Sequence, residues 1–164
     1  MYDTAFYYGS LVGQRSEVLA REEVVSGHYA LATVHRAENT DDLTRLRGTM
    51  EGLDEVARET MPVVLPLHPR TRAAIEREGI QPRATQMIEP VGYLDMVALE
   101  RHAAVIATDS GGVQKEAYLH GVPCVTLRDE TEWVELVELR WNRLVRPGVD
   151  KLSEAVHMQG KMVD

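Results

Sequence analysis

The sequence of 164 residues contains a single cysteine, Cys124, so no disulfide can form within the chain. Residues 123–127 around it are apolar, which favours a small buried core residue over a nucleophile. The chain has no apolar run of about 18 residues, the length that spans a bilayer. Its first residues also lack the basic segment and apolar core of a signal peptide. We therefore expect a cytoplasmic protein that does not enter a membrane.

Positive charge is also scarce, because the formal net charge is −8 and the isoelectric point is near 5.3. An acidic chain is poorly suited to nucleic acid, whose binding depends on phosphate neutralisation by lysine and arginine. One phosphate-bearing small ligand stays possible, because a helix N-terminus can bind an anion whatever the global charge. The hydrophobic share of 44% and the charged share of 27% predict one globular domain.

Several familiar catalytic and metal-binding patterns are absent from the sequence. It contains no Cys-x-x-Cys pair, no phosphate-binding P-loop, no Gly-x-Gly-x-x-Gly and no Gly-x-Ser-x-Gly. His28, His102, His120 and His157 show no metal-ligand spacing with one another. The residues therefore predict no metal site.

Apolar runs alternate with amphipathic segments along most of the chain. The predicted strands cover 28–35, 61–67, 86–89, 103–108, 122–127 and 143–145. The predicted helices cover 1–23, 41–60, 71–78, 93–101, 113–120 and 131–139, and another begins at 150. Continuous apolar strands between helices indicate a doubly wound α/β domain with a parallel sheet, which binds ligands at the carboxyl ends of its strands.

Local signals fix the expected helix ends. Thr40 or Asp41 can cap the helix over 41–60, and Thr131 can cap the helix over 131–139. Gly121 is a suitable C-terminal cap for the helix before it. Arg140 stands where a glycine would end a helix better, so we expect backbone strain or a shorter helix there.

The most informative loop lies between the strand over 103–108 and the next helix. Gly111 and Gly112 let a ligand approach backbone N–H groups, and the helix N-terminus adds roughly half a positive charge. Ser110 can cap the helix or bind a phosphate oxygen, and Glu116, one turn deeper, can accept hydrogen bonds from ribose hydroxyls. The same residues also fit a plain capped glycine turn that binds no ligand.

Three further loops carry polar side chains at predicted strand ends. His35 can bind a phosphate or transfer a proton, and Arg36 can pair with a phosphate or with Glu38. Arg70 adds positive charge to the same edge. The alternatives are surface ion pairs and a solvated helix start, which is the preferred interpretation for Arg72. In the fourth loop, over 127–135, Trp133 is expected in the core.

These loops, in this order, resemble the UDP-N-acetylglucosamine 2-epimerase family. The shared segments are His-Arg-Ala-Glu-Asn at 35–39, His-Pro at 68–69, Asp-Ser-Gly-Gly-Val-Gln-Lys-Glu-Ala at 109–117 and Arg-Asp-Glu-Thr-Glu at 128–132. The opening Met-Tyr-Asp resembles the family's interdomain stretch. Thr-Glu-Trp-Val-Glu from 131, followed by Trp-Asn-Arg from 141, resembles the branch that acts on UDP-2,3-diacetamido-2,3-dideoxyglucuronate.

The resemblance implies one Rossmann-like half of a GT-B-type fold, in which two domains enclose the active site. Residues 25–164 would form the C-terminal, UDP-binding domain, and residues 1–24 an interdomain leading helix. The N-terminal domain would lie outside this chain. The family inverts C2 of the sugar: a base removes the C2 proton, UDP leaves, and the glycal takes UDP back and is protonated on its other face. The resemblance implies neither a metal nor another cofactor.

The resemblance also assigns roles to individual residues. His35 matches the family's active-site histidine near the diphosphate, Ser110 and the two glycines after it match the phosphate-binding turn, and Glu116 matches the ribose-binding carboxylate. The other expected substrate-binding residues are Arg36, Glu38, Asn39, His68 and Arg70. Trp133 stands where the family often has arginine, so one cationic substrate contact lacks a counterpart.

The family's candidate acid–base carboxylates lie in the N-terminal domain, so we expect this chain alone to bind a UDP-sugar without turning it over. Two other interpretations stay open: one half of a GT-B glycosyltransferase, or a non-catalytic nucleotide-sugar-binding module. The expected partners are a UDP-sugar, the N-terminal domain and, in the full-length protein, a second copy in a homodimer.

Overall fold

The computed structural model describes residues 17–163. Its sheet consists of six parallel strands: β1 (Ala30–Thr33), β2 (Val63–Pro66), β3 (Gln86–Ile88), β4 (Val105–Thr108), β5 (Cys124–Thr126) and β6 (Asn142–Leu144). Their order is β3-β2-β1-β4-β5-β6. The strand order therefore reverses between β1 and β4, and the predicted doubly wound α/β fold is confirmed.

Eight α-helices connect and flank the strands in this range. They are α1 (Val18–Arg21), α2 (Ala37–Thr40), α3 (Leu43–Glu59), α4 (Pro69–Arg77), α5 (Tyr93–His102), α6 (Gly111–Leu119), α7 (Val134–Glu138) and α8 (Leu152–Gly160). A 3₁₀ turn (Lys161–Val163) follows α8. No helix between residues 17 and 163 is long and apolar enough to cross a membrane.

The sheet buries side chains on both of its faces. In β4, Val105 and Ala107 belong to one apolar cluster, whereas Ile106 belongs to the cluster on the other face. This alternation follows from the two-residue period of a strand, and it explains why β1, β2 and β4 are buried at every position. Cys124 lies in the second cluster, where burial raises the pKa of its thiol to about 12, so the prediction of an inert core cysteine is confirmed.

Several predicted boundaries were too wide. The predicted strand over 28–35 is reduced to β1, and α3 begins at Leu43 because the Asp42 carboxylate accepts a hydrogen bond from the Arg45 backbone N–H at 3.1 Å. Asp42, not Thr40 or Asp41, is therefore the N-cap. The four-residue helix α2 was not predicted. Residues 1–16 of the predicted leading helix lie outside the described residues.

Two predictions about helix ends concern φ angles, and both are confirmed. Arg140 has a φ of 62°, and α7 ends before it at Glu138. Gly121 follows α6 with a φ of 73°. The predicted cap by Thr131 is wrong, because α7 begins only at Val134, and the Thr131 hydroxyl bonds elsewhere.

Candidate functional site

The two loops at the reversal of strand order begin side by side. Thr33 and Thr108 pair in the register of β1 and β4, and their hydroxyl oxygens lie 2.6 Å apart. The Asp109 backbone N–H donates to the Thr33 carbonyl at 3.3 Å. The parallel register therefore brings the segment after β1 and the segment after β4 to one edge of the sheet.

Asp109 holds the first of these segments in place. Its side chain is fully buried, and it accepts hydrogen bonds from the backbone N–H groups of His35 (3.1 Å) and Arg36 (2.9 Å) and from the Asn39 amide (3.0 Å). The sequence interpretation gave this residue no role. A carboxylate at a strand end, directly before Ser-Gly-Gly, is the signal that could have indicated it.

Asn39, predicted to contact substrate, supports the loop. Its side chain is buried, and its amide also donates to the Leu127 carbonyl at 2.9 Å. Its oxygen accepts from Arg45 Nε at 3.1 Å. Since these contacts occupy both ends of the amide, Asn39 positions the segment after β1, and its contact with substrate stays a prediction.

The N-terminus of α6 faces the same edge. Ser110 is its N-cap, and the Ser110 hydroxyl oxygen accepts from the Val113 backbone N–H at 3.3 Å. Neither Gly111 nor Gly112 donates a backbone hydrogen bond to an acceptor within 17–163. The turn therefore presents two N–H groups at the positive end of a nine-residue helix.

Gly111 cannot be replaced without moving a neighbour. A Cβ atom at this position would lie 1.8 Å from Glu132 Oε1. Glu132 in turn pairs with Arg128, whose Nη1 lies 2.9 Å from Glu132 Oε2. A hydrogen bond from its own backbone, and next the contact with Arg128, hold the pKa of Glu132 below its ordinary value.

His35 and His68, from separate loops, meet at this edge. Their rings stack with centroids 5.4 Å apart and an interplanar angle of 30°. His35 Nε2 lies 3.9 Å from Asp109 Oδ1, and His68 Nδ1 accepts from the Arg70 backbone N–H at 3.1 Å. His68 and Arg70 are exposed, whereas His35 is half-buried, so all three are accessible from the edge of the sheet.

Arginines at the edge are paired with carboxylates. Arg36 Nε lies 3.1 Å from Glu38 Oε1, and Arg128 Nε lies 3.3 Å from the same oxygen. The alternative of an Arg36–Glu38 ion pair, left open by the sequence, is therefore present. Arg72 pairs with Glu89 at 3.0 Å and fits the solvated helix start.

Trp133 covers the α6 turn. The prediction that it lies in the core is therefore wrong. Its indole Nε1 donates to the Gly111 carbonyl at 2.8 Å, and Lys115 Nζ lies 4.9 Å from its ring centroid. The loop before it is anchored by Gln114, whose Oε1 accepts from the Thr131 hydroxyl at 2.6 Å. Gln114 is fully buried, and the sequence interpretation did not single it out.

Glu116 lies six residues after Ser110, which is about 9 Å along the axis of α6. It is half-buried and forms a cluster with Glu100 of α5 and with His120. One carboxyl oxygen of each glutamate and one ring nitrogen of the histidine all lie within 4.8 Å of one another. Burial, and next the contact with Glu100, together raise the pKa of Glu116 to about 8. Burial also raises the pKa of Glu100 to about 7. His120 follows Glu116 by four residues, a helical spacing that could have indicated this cluster.

A parallel, doubly wound sheet with a glycine-rich helix N-terminus at its reversal point defines a Rossmann-like domain. The chain belongs to the UDP-N-acetylglucosamine 2-epimerase family, whose model matches residues 1–161. The family predicted from the loop motifs is thus confirmed.

Two curated relatives illustrate this membership. The chain is 54% identical over 127 residues to a UDP-2,3-diacetamido-2,3-dideoxy-D-glucuronate 2-epimerase from Pseudomonas aeruginosa, covering 77% of the chain and 36% of the relative. It is 41% identical over 162 residues to a UDP-N-acetylglucosamine 2-epimerase homolog from Methanococcus maripaludis, covering 95% of the chain and 44% of the relative. The chain thus spans less than half the length of these relatives.

A solved structure of UDP-GlcNAc 2-epimerase from Methanocaldococcus jannaschii superposes with a TM-score of 0.86 at 37% identity, covering 96% of this chain and 46% of that one. The same enzyme has been solved in complex with UDP-GlcNAc and UDP, again with a TM-score of 0.86. The described fold therefore matches slightly less than half of that enzyme's chain.

Proposed function

We propose that this chain binds a UDP-sugar at the carboxyl edge of its sheet and forms the nucleotide-binding half of a UDP-sugar 2-epimerase. The observation that carries the proposal is the α6 N-terminus, where the Gly111 and Gly112 N–H groups are unengaged by described acceptors at the reversal of strand order. The complex of the M. jannaschii relative with UDP-GlcNAc and UDP supports this choice of ligand.

In this proposal the diphosphate lies at Ser110, Gly111 and Gly112. The helix N-terminus attracts its negative charge, and the Ser110 hydroxyl donates a hydrogen bond to a phosphate oxygen. Glu116, deeper along α6, accepts hydrogen bonds from the ribose hydroxyls. The nucleotide therefore extends along one side of α6.

Other residues at the carboxyl edge of the sheet supply the remaining contacts with the diphosphate and the sugar. Arg36 exchanges its exposed contact with Glu38 for phosphate oxygens, since an exposed ion pair contributes little to stability. His68 and Arg70 border the sugar from the neighbouring loop. His35, stacked on His68, lies near the diphosphate and hydrogen-bonds to it.

The reaction begins when a base takes the C2 proton of the sugar. The electrons of the C2–H bond form a C1=C2 double bond as the C1–O bond breaks, and UDP leaves with that oxygen. UDP then adds back to C1 of the glycal, and C2 is protonated on its other face. This chain assists by stabilising the charge that develops on the leaving diphosphate, at the α6 N-terminus and at His35.

Two carboxylates at this edge are unsuited to be the C2 base. Asp109 is fully buried with three hydrogen-bond donors, and Glu38 keeps its contact with Arg128 when Arg36 turns to the phosphate. We therefore assign the acid–base groups to a part of the enzyme beyond this chain. On its own the chain binds UDP-sugars without turnover.

For the substrate, we propose UDP-2,3-diacetamido-2,3-dideoxy-D-glucuronate. The support is the 54% identity with the P. aeruginosa relative of that name, together with the Thr-Glu-Trp-Val-Glu segment over 131–135. This assignment makes the protein part of cytoplasmic polysaccharide-precursor synthesis.

A fusion tests the proposed activity. This chain is joined to the part of the P. aeruginosa relative that it does not match, and the fusion is incubated with the diacetamido-glucuronate substrate in D₂O. We expect the 2-epimer with deuterium at C2, and no product from the chain alone. Transfer of the sugar to an acceptor without a 2-epimer would instead identify a glycosyltransferase. Saturable UDP binding without any product would identify a binding module.

A further inference from the structure

Glu100 has an unusual position for a carboxylate. It lies on α5 with only 1% of its surface exposed, and its Oε1 forms no hydrogen bond with the described residues. Burial of an isolated charge is strongly unfavourable, so a buried carboxyl group is normally neutral or paired. No arginine or lysine is paired with it in the described part of the chain.

The group that Glu100 meets is Glu116, because α5 packs against α6. One carboxyl oxygen of Glu100 lies within 4.8 Å of one carboxyl oxygen of Glu116. Because Glu100 is buried, we infer a proton on one of the two groups, since two carboxylates this close repel each other in a poorly solvated environment. The pair therefore holds one shared proton.

His120 completes the cluster from the end of α6. Its Nε2 lies 3.6 Å from Glu100 Oε1 and has no hydrogen bond to the described residues. Burial lowers the pKa of His120, Glu116 partly opposes this decrease, and Arg101 on α5 acts in the same direction as burial. His102 is the other titratable group near this ring. His120, Arg101 and His102 are therefore the titratable and charged groups that surround the carboxyl pair.

We propose that Glu100 is a positioning residue for Glu116: the proton shared by the two carboxyl groups fixes Glu116 so that its free lone pairs face the ribose hydroxyls. The proposal rests on the assignment of Glu116 to the ribose. Nothing in the family motifs involves Glu100, which contributes through Glu116 and does not touch the nucleotide.

The shared proton makes nucleotide binding depend on pH in a specific way. With two protons on the pair, Glu116 is a weaker acceptor for ribose, and with none, repulsion displaces it. Affinity for UDP is therefore highest when the pair holds one proton. Loss of that proton lowers the affinity by at most about tenfold per pH unit, because one proton is linked to binding.

The test measures the UDP dissociation constants of the wild type and of Glu100→Gln by calorimetry, from about pH 6 to about pH 9.5. Each result is expressed as the variant-to-wild-type ratio, so that titration of UDP itself cancels, and EDTA keeps metal ions out of the cluster. Glutamine donates the same hydrogen bond but does not titrate. We expect a ratio within about threefold of one near neutrality, falling below one above about pH 8.

Two further variants complete the test. Glu100→Leu removes the hydrogen bond and should weaken UDP binding by about tenfold or more near neutrality. Glu76→Gln, an exposed carboxylate on α4, should give a ratio of one at every pH. Thermal unfolding of each variant shows whether it is folded, and if Glu100→Leu is not, the pH profile of Glu100→Gln decides alone.

The outcomes separate this proposal from the one on which it rests. A constant Glu100→Gln ratio across the pH range would overturn the role of Glu100. If Glu116→Ala weakens UDP and inorganic diphosphate equally, the ribose assignment fails, and the positioning role fails with it. Absence of UDP binding by the wild type would reject the proposed nucleotide site itself.

Discussion

At the scale of single residues, Asp109 shows what the sequence can and cannot predict. The sequence places His35, Arg36 and Ser110 together, because strands in a parallel sheet end at a common edge. The hydrogen bonds from residues 35, 36 and 39 to Asp109 depend on the register of β1 against β4, which no local pattern encodes. The contacts of Asn39 with Asp109, Leu127 and Arg45 therefore could not be predicted, although its place in the loop could.

Ser110→Ala is the prediction that most directly concerns one side chain. The variant loses a hydroxyl that caps α6 and, in our proposal, donates to a charged phosphate oxygen. We expect UDP binding to weaken by about 1–2 kcal/mol, measured by isothermal calorimetry. As a matched control, Ser153→Ala removes a hydroxyl on α8 that donates to Glu55, and UDP affinity should not change. Unaltered affinity in Ser110→Ala would argue against the phosphate turn.

At the scale of helices and strands, the sequence predicted the alternation correctly and the ends less well. Apolar runs between amphipathic segments predicted the six strands, because both faces of the sheet are covered. The ends depend on which polar side chain binds where. Thr131 donates to Gln114 of α6 and does not cap α7, so α7 loses its expected first turn. Helix α2 is too short to show a period.

The end of α7 supplies a stability prediction. Arg140 has a φ of 62°, where a residue with a Cβ is strained by about 1–2 kcal/mol. Arg140→Gly should raise the free energy of unfolding by about 0.5–1 kcal/mol, since glycine's greater entropy in the unfolded chain offsets part of the relief. Chemical denaturation measures this change. Arg140→Ala keeps the strain and should bring no gain; stabilisation equal to that of glycine would refute the explanation.

At the scale of the whole molecule, one edge of an acidic chain carries the features that suit an anion. The net charge is −8, yet His35, Arg36, Arg70 and the α6 N-terminus face the same end of the sheet. Composition argued against a nucleic-acid partner but could not locate this edge, which the order of the loop motifs indicated. The buried contact between Glu100 and Glu116 escaped prediction, because it depends on how α5 packs on α6.

The chain spans 36% and 44% of the length of its two curated relatives described above. Its share of the proposed reaction is therefore nucleotide binding and stabilisation of the leaving group. This division predicts that the chain recognises the diphosphate and the ribose in the absence of the sugar.

The most direct test is a calorimetric titration of this chain with UDP, with UMP titrated under the same conditions. The proposed site predicts saturable UDP binding and a UMP affinity lower by at least about tenfold, because UMP lacks the β-phosphate and its charged hydrogen bonds. Equal affinities for UDP and UMP, or no heat of binding up to about 1 mM UDP, would contradict a diphosphate site at Ser110, Gly111 and Gly112.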